Sequence, residues 1–414
     1  MSVQVFGLSS WKDASQGSVN YCFISTFIGY DLTPLISRVE CFFFYSAFSL
    51  FKKQGGENMI RIPYYKTVIP SIKIVKLKAP LFAQIELTKN CQYNCRFCYN
   101  FWKESENILP MKQMDREELF LVVDKLINCE IFSLIFSGGE PTLCESLPEL
   151  IKLVSDHKID TTVISNGANL TKAYLISLKQ NGLQGFQISL HHFDPIKADI
   201  ITQHRNSFKK TTSGVKNVIE VFGTDKMNVN MVVTKDTVDD VFKMGLFLNS
   251  IGVENFSVGL VSFSGHAVKN NLSADKDDLE KVYYQLKDLH FKTKMNVSFT
   301  GGMPICLFPE YGVSDVVGMS NVCDAAISQI VIGSDGGIRP CVEMPIVVGN
   351  AVTDDLKNVW QNSKELISIR KFENTPPSCY ECNEVSLCHG GCRAAAFNYT
   401  GDVQGLDPLM EVKI

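Results

Sequence analysis

The sequence predicts an α/β protein: a partial, TIM-like (β/α)6 barrel followed by a small cysteine-rich C-terminal domain. Three observations point there. From residue 81 to residue 260, short β-rich runs alternate with longer stretches of helical periodicity, the pattern of parallel βα units. The alternation supplies six strands, two short of a full eight-stranded barrel, so the strand C-termini should face an open cleft. Past Gly301-Gly302 the periodicity weakens and cysteines return in quick succession.

The first strand is expected at residues 81–87 (LFAQIEL), running directly into a loop with Cys91, Cys95 and Cys98. Residues 115–129 form the first helix, because Leu119, Val122, Val123, Leu126 and Ile127 share one face. Asp115 can cap it, with Glu118 in the capping-box position. Strand 131–136, helix 145–157, strand 161–165, helix 171–181 and strand 185–190 follow. Helix 208–221, strand 228–233, helix 238–251 and strand 255–260 complete the six. Helix 274–289 and a seventh strand at 296–299 lead to a domain boundary at Gly301-Gly302, and residues 355–360 read as an amphipathic helix.

The whole chain of 414 residues is 45% hydrophobic and 20% charged, an ordinary globular composition. A net charge of -4 argues against nucleic acid or an anionic membrane as partner. Residues 41–51 (CFFFYSAFSLF) are intensely apolar, but Asp31, Arg38 and Glu40 interrupt any longer span, and a transmembrane helix needs about 20 such residues. They read as an extra N-terminal helical element. Back-translated, residues 52–59 resemble a purine-rich ribosome-binding site before an ATG. The expectation is a native start at Met59, with 1–58 an upstream extension, 59–80 a lead-in, 81–300 the barrel and 301–414 the C-terminal domain. A mature chain from the genomic locus that begins before Met59 would refute that start. No basic start leads into an apolar run with a small-residue cleavage site, so the clustered cysteines read as metal ligands in a reducing cytoplasm.

Three thiolates on one compact loop, Cys91, Cys95 and Cys98, can hold three corners of a [4Fe–4S] cube and leave the fourth iron open to an outside ligand. A structural zinc would need a fourth ligand close by, and the nearest histidine, His157, is far downstream. Ser137-Gly138-Gly139-Glu140-Pro141 ends the second strand. Its glycines let backbone approach a ligand and offer carbonyls to an amine, while Glu140 adds complementary charge. Ser165-Asn166-Gly167 ends the third strand and Ser189 the fourth, outlining a site for a polar small molecule.

Glu86-Leu87-Thr88, the Cys91/Cys95/Cys98 loop with Phe97, SGGEP, SNG and ISLHH together resemble the radical S-adenosylmethionine (SAM) superfamily across residues 81–300. The resemblance implies that the open iron binds the amino and carboxylate groups of SAM, which is reductively cleaved to methionine and a 5′-deoxyadenosyl radical. It implies Cys91, Cys95 and Cys98 as cluster ligands and Phe97 near the adenine. Gly138, Gly139 and Glu140 fall at the methionyl amine; Ser165, Asn166 and Ser189 fall around the ribose and carboxylate. One stretch departs from the pattern. Where many relatives carry Arg-Gly or Thr-Gly before Gly-Ser-Phe, residues 202–208 read TQHRNSF, so no SAM contact is assigned there. His191 and His192 are acid–base candidates or simply edge the cleft.

The C-terminal cysteines run Cys323-x12-Gly336-x4-Cys341, then Cys379-x2-Cys382-x5-Cys388-x3-Cys392. CxxC pairs also occur in zinc sites. The order of cysteines, the CHGGCR run and the stretch from Gly401 to Pro408 resemble the SPASM extension of peptide-modifying radical SAM enzymes. That resemblance implies one auxiliary iron–sulfur cluster at Cys323, Cys341 and Cys392 and a second at Cys379, Cys382 and Cys388. Cys306 is expected to complete the first. Relatives close the second with a cysteine after the Asp-Pro pair, where this chain has Leu409-Met410, leaving Asp402 or Asp407 as ligand, an open iron, or a degraded cluster and so one auxiliary cluster in place of two. Cys129 and Cys144 read as buried thiols.

The expected function is radical modification of a peptide or protein side chain in a ribosomally made precursor, forming a crosslink or thioether, with a flavodoxin- or ferredoxin-type reductant. The alternatives are tailoring of a small haem-like or peptide-derived cofactor and, in a different class, a non-catalytic metal-binding scaffold.

Overall fold

The computed structural model describes residues 10–12, 19–21, 77–100, 112–261, 263–307, 316–319 and 323–410. The apolar run at 41–51, the proposed start at Met59 and nearly all of the lead-in lie outside the described residues. β1 (Ser10–Lys12) and β2 (Val19–Tyr21) pair antiparallel as a two-stranded sheet of their own.

The remaining strands form one 11-stranded sheet. β3 (Phe82–Glu86), β4 (Ser133–Ser137), β5 (Asp160–Ser165), β6 (Gly185–Ser189), β7 (Met227–Val233), β8 (Asn255–Leu260) and β9 (Asn296–Thr300) lie side by side in chain order, all parallel. Each is the strand expected from the sequence, within two residues at either end. β10 (Val317–Met319) continues the sheet beyond β9. At the opposite edge β11 (Gln329–Ile332) pairs parallel with β3, and β12 (Gly337–Arg339) and β13 (Gly349–Asn350) add antiparallel to it. The expected six-stranded arrangement is therefore the middle of a longer sheet. The strands flanking it are short, and β11 has no polar alternation to announce it because three of its four residues are buried.

The helices cover the sheet with apolar stripes. α1 (Arg116–Asn128) starts at the foreseen capping box, Asp115 accepting from the Glu118 N–H while Glu118 accepts from the Asp115 N–H. Leu119, Val122, Val123 and Leu126 are its buried face, each worth roughly 1.5–3 kcal/mol of burial. α2 (Leu147–Asp156) buries Leu147, Leu150, Ile151 and Val154 completely. α3 (Lys172–Gln180) leads to a helix the periodicity missed, α4 (Pro195–Thr202), which Asp194 caps and Pro195 starts. Only two of its residues are buried, so it carries no apolar stripe. α5 (Ser207–Phe222), α6 (Val241–Ser250), the single turn α7 (His266–Lys269) and α8 (Lys276–Thr293) follow. α9 (Leu356–Asn362), α10 (Lys364–Arg370), α11 (Val385–Cys388) and α12 (Arg393–Thr400) belong to the C-terminal region.

Two polar ties fasten that region to the barrel. Lys125, in the last turn of α1, donates to the carbonyls of Ala351, Val352 and Asp354 at 2.8, 2.8 and 2.9 Å. Glu86 on β3 and Arg339 on β12 form an ion pair with both side chains essentially excluded from solvent. Among the described residues no helix is long and apolar enough to cross a membrane.

Candidate active site and auxiliary cysteine sites

The cysteine loop leaves the C-terminal end of β3 and is held from three sides. The glycine turn after β4 lies against it: the Gly139 N–H donates to Thr88 O (2.6 Å) and the Glu140 N–H to Asn90 O (2.8 Å). A Cβ on Gly138 would lie 2.6 Å from Thr88 O, and one on Gly139 would lie 2.3 Å from Asn90 O. These glycines thus serve the approach of the cysteine loop's own backbone. The end of α4 forms a second support, with the Asn94 N–H on Thr202 O (3.0 Å) and the Arg96 N–H on Ile201 O (2.9 Å). The divergent TQHRNSF stretch begins here. Asp199 accepts from the Asn206 and Phe208 N–H groups and from Ser207 Oγ, which fixes the stretch. The third support is α7, where the His266 N–H donates to Cys98 O at 2.9 Å and Asn270 Nδ2 to Arg96 O at 2.7 Å.

Glu140 is fully buried, and its oxygens are engaged within the protein. Oε1 accepts from Ser165 Oγ (2.8 Å) and Thr142 Oγ1 (2.7 Å); Oε2 accepts from the Asn166 N–H (2.8 Å). Burial pushes its carboxyl up, against the pull of these donors. Glu140 therefore stitches the SGGEP turn to the SNG turn. Asn166 reaches on to the cysteine loop, with Nδ2 3.8 Å from Cys91 Sγ and Oδ1 accepting from Gln92 Nε2 at 3.2 Å. Phe97 is buried and meets His191 edge-on, with ring centroids 4.6 Å apart.

All ten residues singled out in the barrel line one cavity of about 380 Å³: the three cysteines, Phe97, Gly138, Gly139, Glu140, Ser165, Asn166 and Ser189. His191 lines it too; His192 does not. His192 is buried beside α6, donating through Nε2 to Asp240 (3.0 Å) while Nδ1 accepts from the Asp194 N–H. His191 Nδ1 accepts from the Val232 N–H (3.1 Å), which places the ring proton on Nε2, and burial drives its pKa down to about 3. It is a neutral imidazole.

Sequence reasoning missed the polar floor of the cavity: Gln84 on β3, Gln187 on β6 and Asn230 on β7. Gln84 Nε2 donates to Ser137 Oγ (2.6 Å), and Asn230 Oδ1 accepts from Ser257 Oγ (2.9 Å). The signal was present. A polar side chain at an inward position of an otherwise apolar strand is costly unless it has a partner or a ligand.

The C-terminal cysteines separate into two groups. Cys323, Cys341 and Cys392 line a second, small cavity, and burial raises the thiol pKa of each; Cys341 is pushed up to about 12, with Cys323 adding to the effect of burial. Glu343 acts on all three, and Glu343 and Cys392 also line the main cavity. The turn that carries Cys306 meets the other group, the Ile305 N–H donating to Cys388 Sγ at 3.3 Å. Pro304 lies against Gly391 of the same CHGGCR run. Asp407 is buried, with Oδ2 accepting from the Cys392 N–H (2.7 Å) and Oδ1 from the Leu409 N–H (2.9 Å), and it positions Cys392. Arg393 donates to the carbonyls of Gly390, Asn374, Val403 and Gly405 and shapes the same loop. Cys129 is buried and its thiol is pushed up to about 11, chiefly by burial; Cys144 is half-buried and raised for the same reason. Among the described residues no three Cys, His, Asp or Glu side chains close tightly enough around one point for a single metal ion.

Three cysteine thiols at a strand-end cavity, beside a glycine turn and a row of polar strand ends, suit an iron–sulfur cluster with a polar co-substrate. Residues 85–248 match the model of the radical SAM superfamily, and residues 323–383 match that of SPASM, an iron–sulfur cluster-binding domain. Residues 85–248 thus form a radical SAM domain: the chain is an enzyme, and its cofactors are a [4Fe–4S] cluster and S-adenosylmethionine. More particularly, residues 323–383 form a SPASM domain, which brings auxiliary iron–sulfur binding to the C-terminal region.

The PqqA peptide cyclase of Ruegeria pomeroyi is 24% identical over 343 residues, which is 80% of this chain and 87% of that protein. The PqqA peptide cyclase of Bradyrhizobium diazoefficiens is 25% identical over 344 residues, 80% of this chain and 85% of that protein. Among solved structures, Streptococcus suis SuiB bound to precursor peptide SuiA has a TM-score of 0.66 at 21% identity, covering 81% of this chain and 77% of that one. The anSMEcpe protein with bound AdoMet has a TM-score of 0.63 at 20% identity, covering 80% and 94%. These structural likenesses establish the fold.

Proposed function

We propose that this enzyme modifies a side chain of a peptide or protein, a ribosomally made precursor, forming a crosslink or thioether. One observation carries the reading: a single cavity is walled on one side by the Cys91/Cys95/Cys98 loop and on the other by Glu343, Cys392 and Leu409 of the C-terminal region. A substrate lying there reaches both centres. The names of the relatives, a peptide cyclase and a protein crystallised with its precursor peptide, support the same substrate class.

In this reading Cys91, Cys95 and Cys98 hold the SAM cluster. With SAM bound, the cluster supplies the one-electron cleavage that starts hydrogen abstraction. The protein's own contribution is position and exclusion of water. Phe97 offers an apolar face to the adenine, the Gly138-Gly139 turn presents backbone to the methionyl amine, and Ser165, Asn166 and Ser189 supply hydrogen bonds to the ribose and carboxylate. Glu140 acts by fastening two of these turns. His191, neutral, with its proton on Nε2, edges the substrate space. Cys323, Cys341 and Cys392 hold the auxiliary cluster nearer the cavity, and Cys379, Cys382 and Cys388 the distal one. A flavodoxin- or ferredoxin-type protein supplies the electron, in a reducing cytoplasm. The barrel and auxiliary-cluster domains meet near Gly301-Gly302.

Anaerobically reconstituted full-length protein with strong reductant and SAM should release 5′-deoxyadenosine, and Cys95→Ala should reduce this to background. Release by the wild type that is indistinguishable from an enzyme-free control would defeat the catalytic assignment. A short precursor encoded beside the gene should lose hydrogen by mass when added. Turnover of a small cofactor, with the peptide unchanged, would overturn the substrate class.

A further inference from the structure

Resting on the SPASM reading above, we propose that Cys306 is the fourth thiolate of the distal auxiliary centre, joining Cys379, Cys382 and Cys388 in place of the cysteine that this chain lacks after Asp407-Pro408. Cys306 lies outside both matched family spans, 85–248 and 323–383.

The geometry brings the Cys306 turn onto the right cysteines. The Ile305 N–H donates to Cys388 Sγ at 3.3 Å, so the residue before Cys306 already touches one sulfur of the set. Pro304 packs on the CHGGC turn so closely that a Cβ on Gly391 would lie 2.8 Å from its ring.

The rival fourth ligands are otherwise occupied. Both oxygens of Asp407 accept backbone N–H groups. Asp402 caps its own turn by accepting from the Gln404 N–H. After Pro408 the chain closes a tight turn, the Met410 N–H donating to Asp407 O, and Leu409 faces the main cavity, which none of Cys379, Cys382 and Cys388 lines. A soft thiol on an exposed turn, as Cys306 is, is the donor this centre otherwise lacks. With four protein thiolates, no iron of the distal centre is open to substrate.

Two measurements test this on the full-length protein. The first is differential alkylation with iodoacetamide under anaerobic conditions, read by peptide mass. Cys306 should stay unlabelled while iron is bound and become labelled after chelation. Labelling at full iron content overturns the proposal. The second uses a Cys91→Ala/Cys95→Ala/Cys98→Ala background, in which only auxiliary clusters contribute. There Cys306→Ala should remove up to about 4 iron per chain or convert one four-iron EPR signal to a three-iron signal. Cys306→Ser should keep the iron and shift that same signal, and Cys323→Ala should alter the other. If Cys306→Ala leaves iron, sulfide and spectrum unchanged, or alters the signal that Cys323→Ala alters, the assignment fails. Wild-type protein with no auxiliary iron would remove the SPASM premise and the proposal with it, a result distinct from the other two.

Discussion

Gly139→Ala is expected to lower 5′-deoxyadenosine release by about 10²-fold, the usual cost of displacing a reacting group by 1 Å. The added methyl would stand 2.3 Å from Asn90 O and 2.5 Å from Lys89 O, so the loop must retreat by roughly 1 Å to restore an ordinary carbon–oxygen separation. That retreat also strains the bonds from Gly139 N–H to Thr88 O and from Glu140 N–H to Asn90 O, which set the height of Cys91 above the sheet. Two readouts separate position from occupancy: iron per chain, and release per SAM cluster counted by EPR. A variant with the wild-type rate and full iron would show that the loop is not registered by this turn. Gly185→Ala, away from the cavity, where the methyl would meet only Lys226 O at 3.5 Å and Thr162 Oγ1 at 3.7 Å, serves as a control for adding a methyl without the close approach.

Arg339→Met is expected to cost about 3–5 kcal/mol of stability, because it strands Glu86 as an unpaired buried charge. Glu86 is held within the sheet, and its Oε1 already has no hydrogen-bond partner. Burial raises its pKa from 4.5 to about 7 even with the Arg339 guanidinium pulling it down. Between those values the native protein binds a proton that the unfolded chain has released, so this group's contribution falls as pH rises from about 4.5 to about 7. Removing Arg339 lifts the native pKa further, and the loss then continues above neutral pH. Urea midpoints at pH 6 and pH 8, taken anaerobically on holoenzyme, should therefore diverge more for Arg339→Met than for wild type. Glu86→Gln/Arg339→Met should recover most of the loss, since a buried pair replaced by neutral groups is often nearly neutral in cost. A single variant as stable as wild type at pH 8 would show that water reaches the pair.

The barrel was legible because its strands and helices obey two clean periods, and α1 even begins at the capping box that Asp115 and Glu118 announce. The place of the Cys91/Cys95/Cys98 loop at the cavity was legible because thiolate spacing is a chemical requirement confined to a few residues. What lay beyond reach depends on contacts distant in the chain. That Glu140 also fastens two turns shows only once Ser165 and Asn166, some 25 residues on, are seen to hold its oxygens. Cys306 is closer in sequence to Cys323, yet folding sets the residue before it, Ile305, against Cys388. α4 was invisible for a different reason: its role is to present Ile201 and Thr202 carbonyls to the cysteine loop, and backbone carbonyls leave no mark on residue type.

The pairing of β11 with β3 has a consequence for how the chain assembles. β3 is the first strand of the large sheet, and one of its edges is satisfied only when Gln329–Ile332, made some 250 residues later, comes to lie along it. Until then a ribosome-bound chain presents an unpaired, largely apolar strand edge at the root of its cluster loop, the kind of edge that recruits stray strands. Such sequence-distant parallel pairing is slow to form, so the barrel cannot be a finished unit that later acquires its C-terminal region. Its first strand is completed by that region.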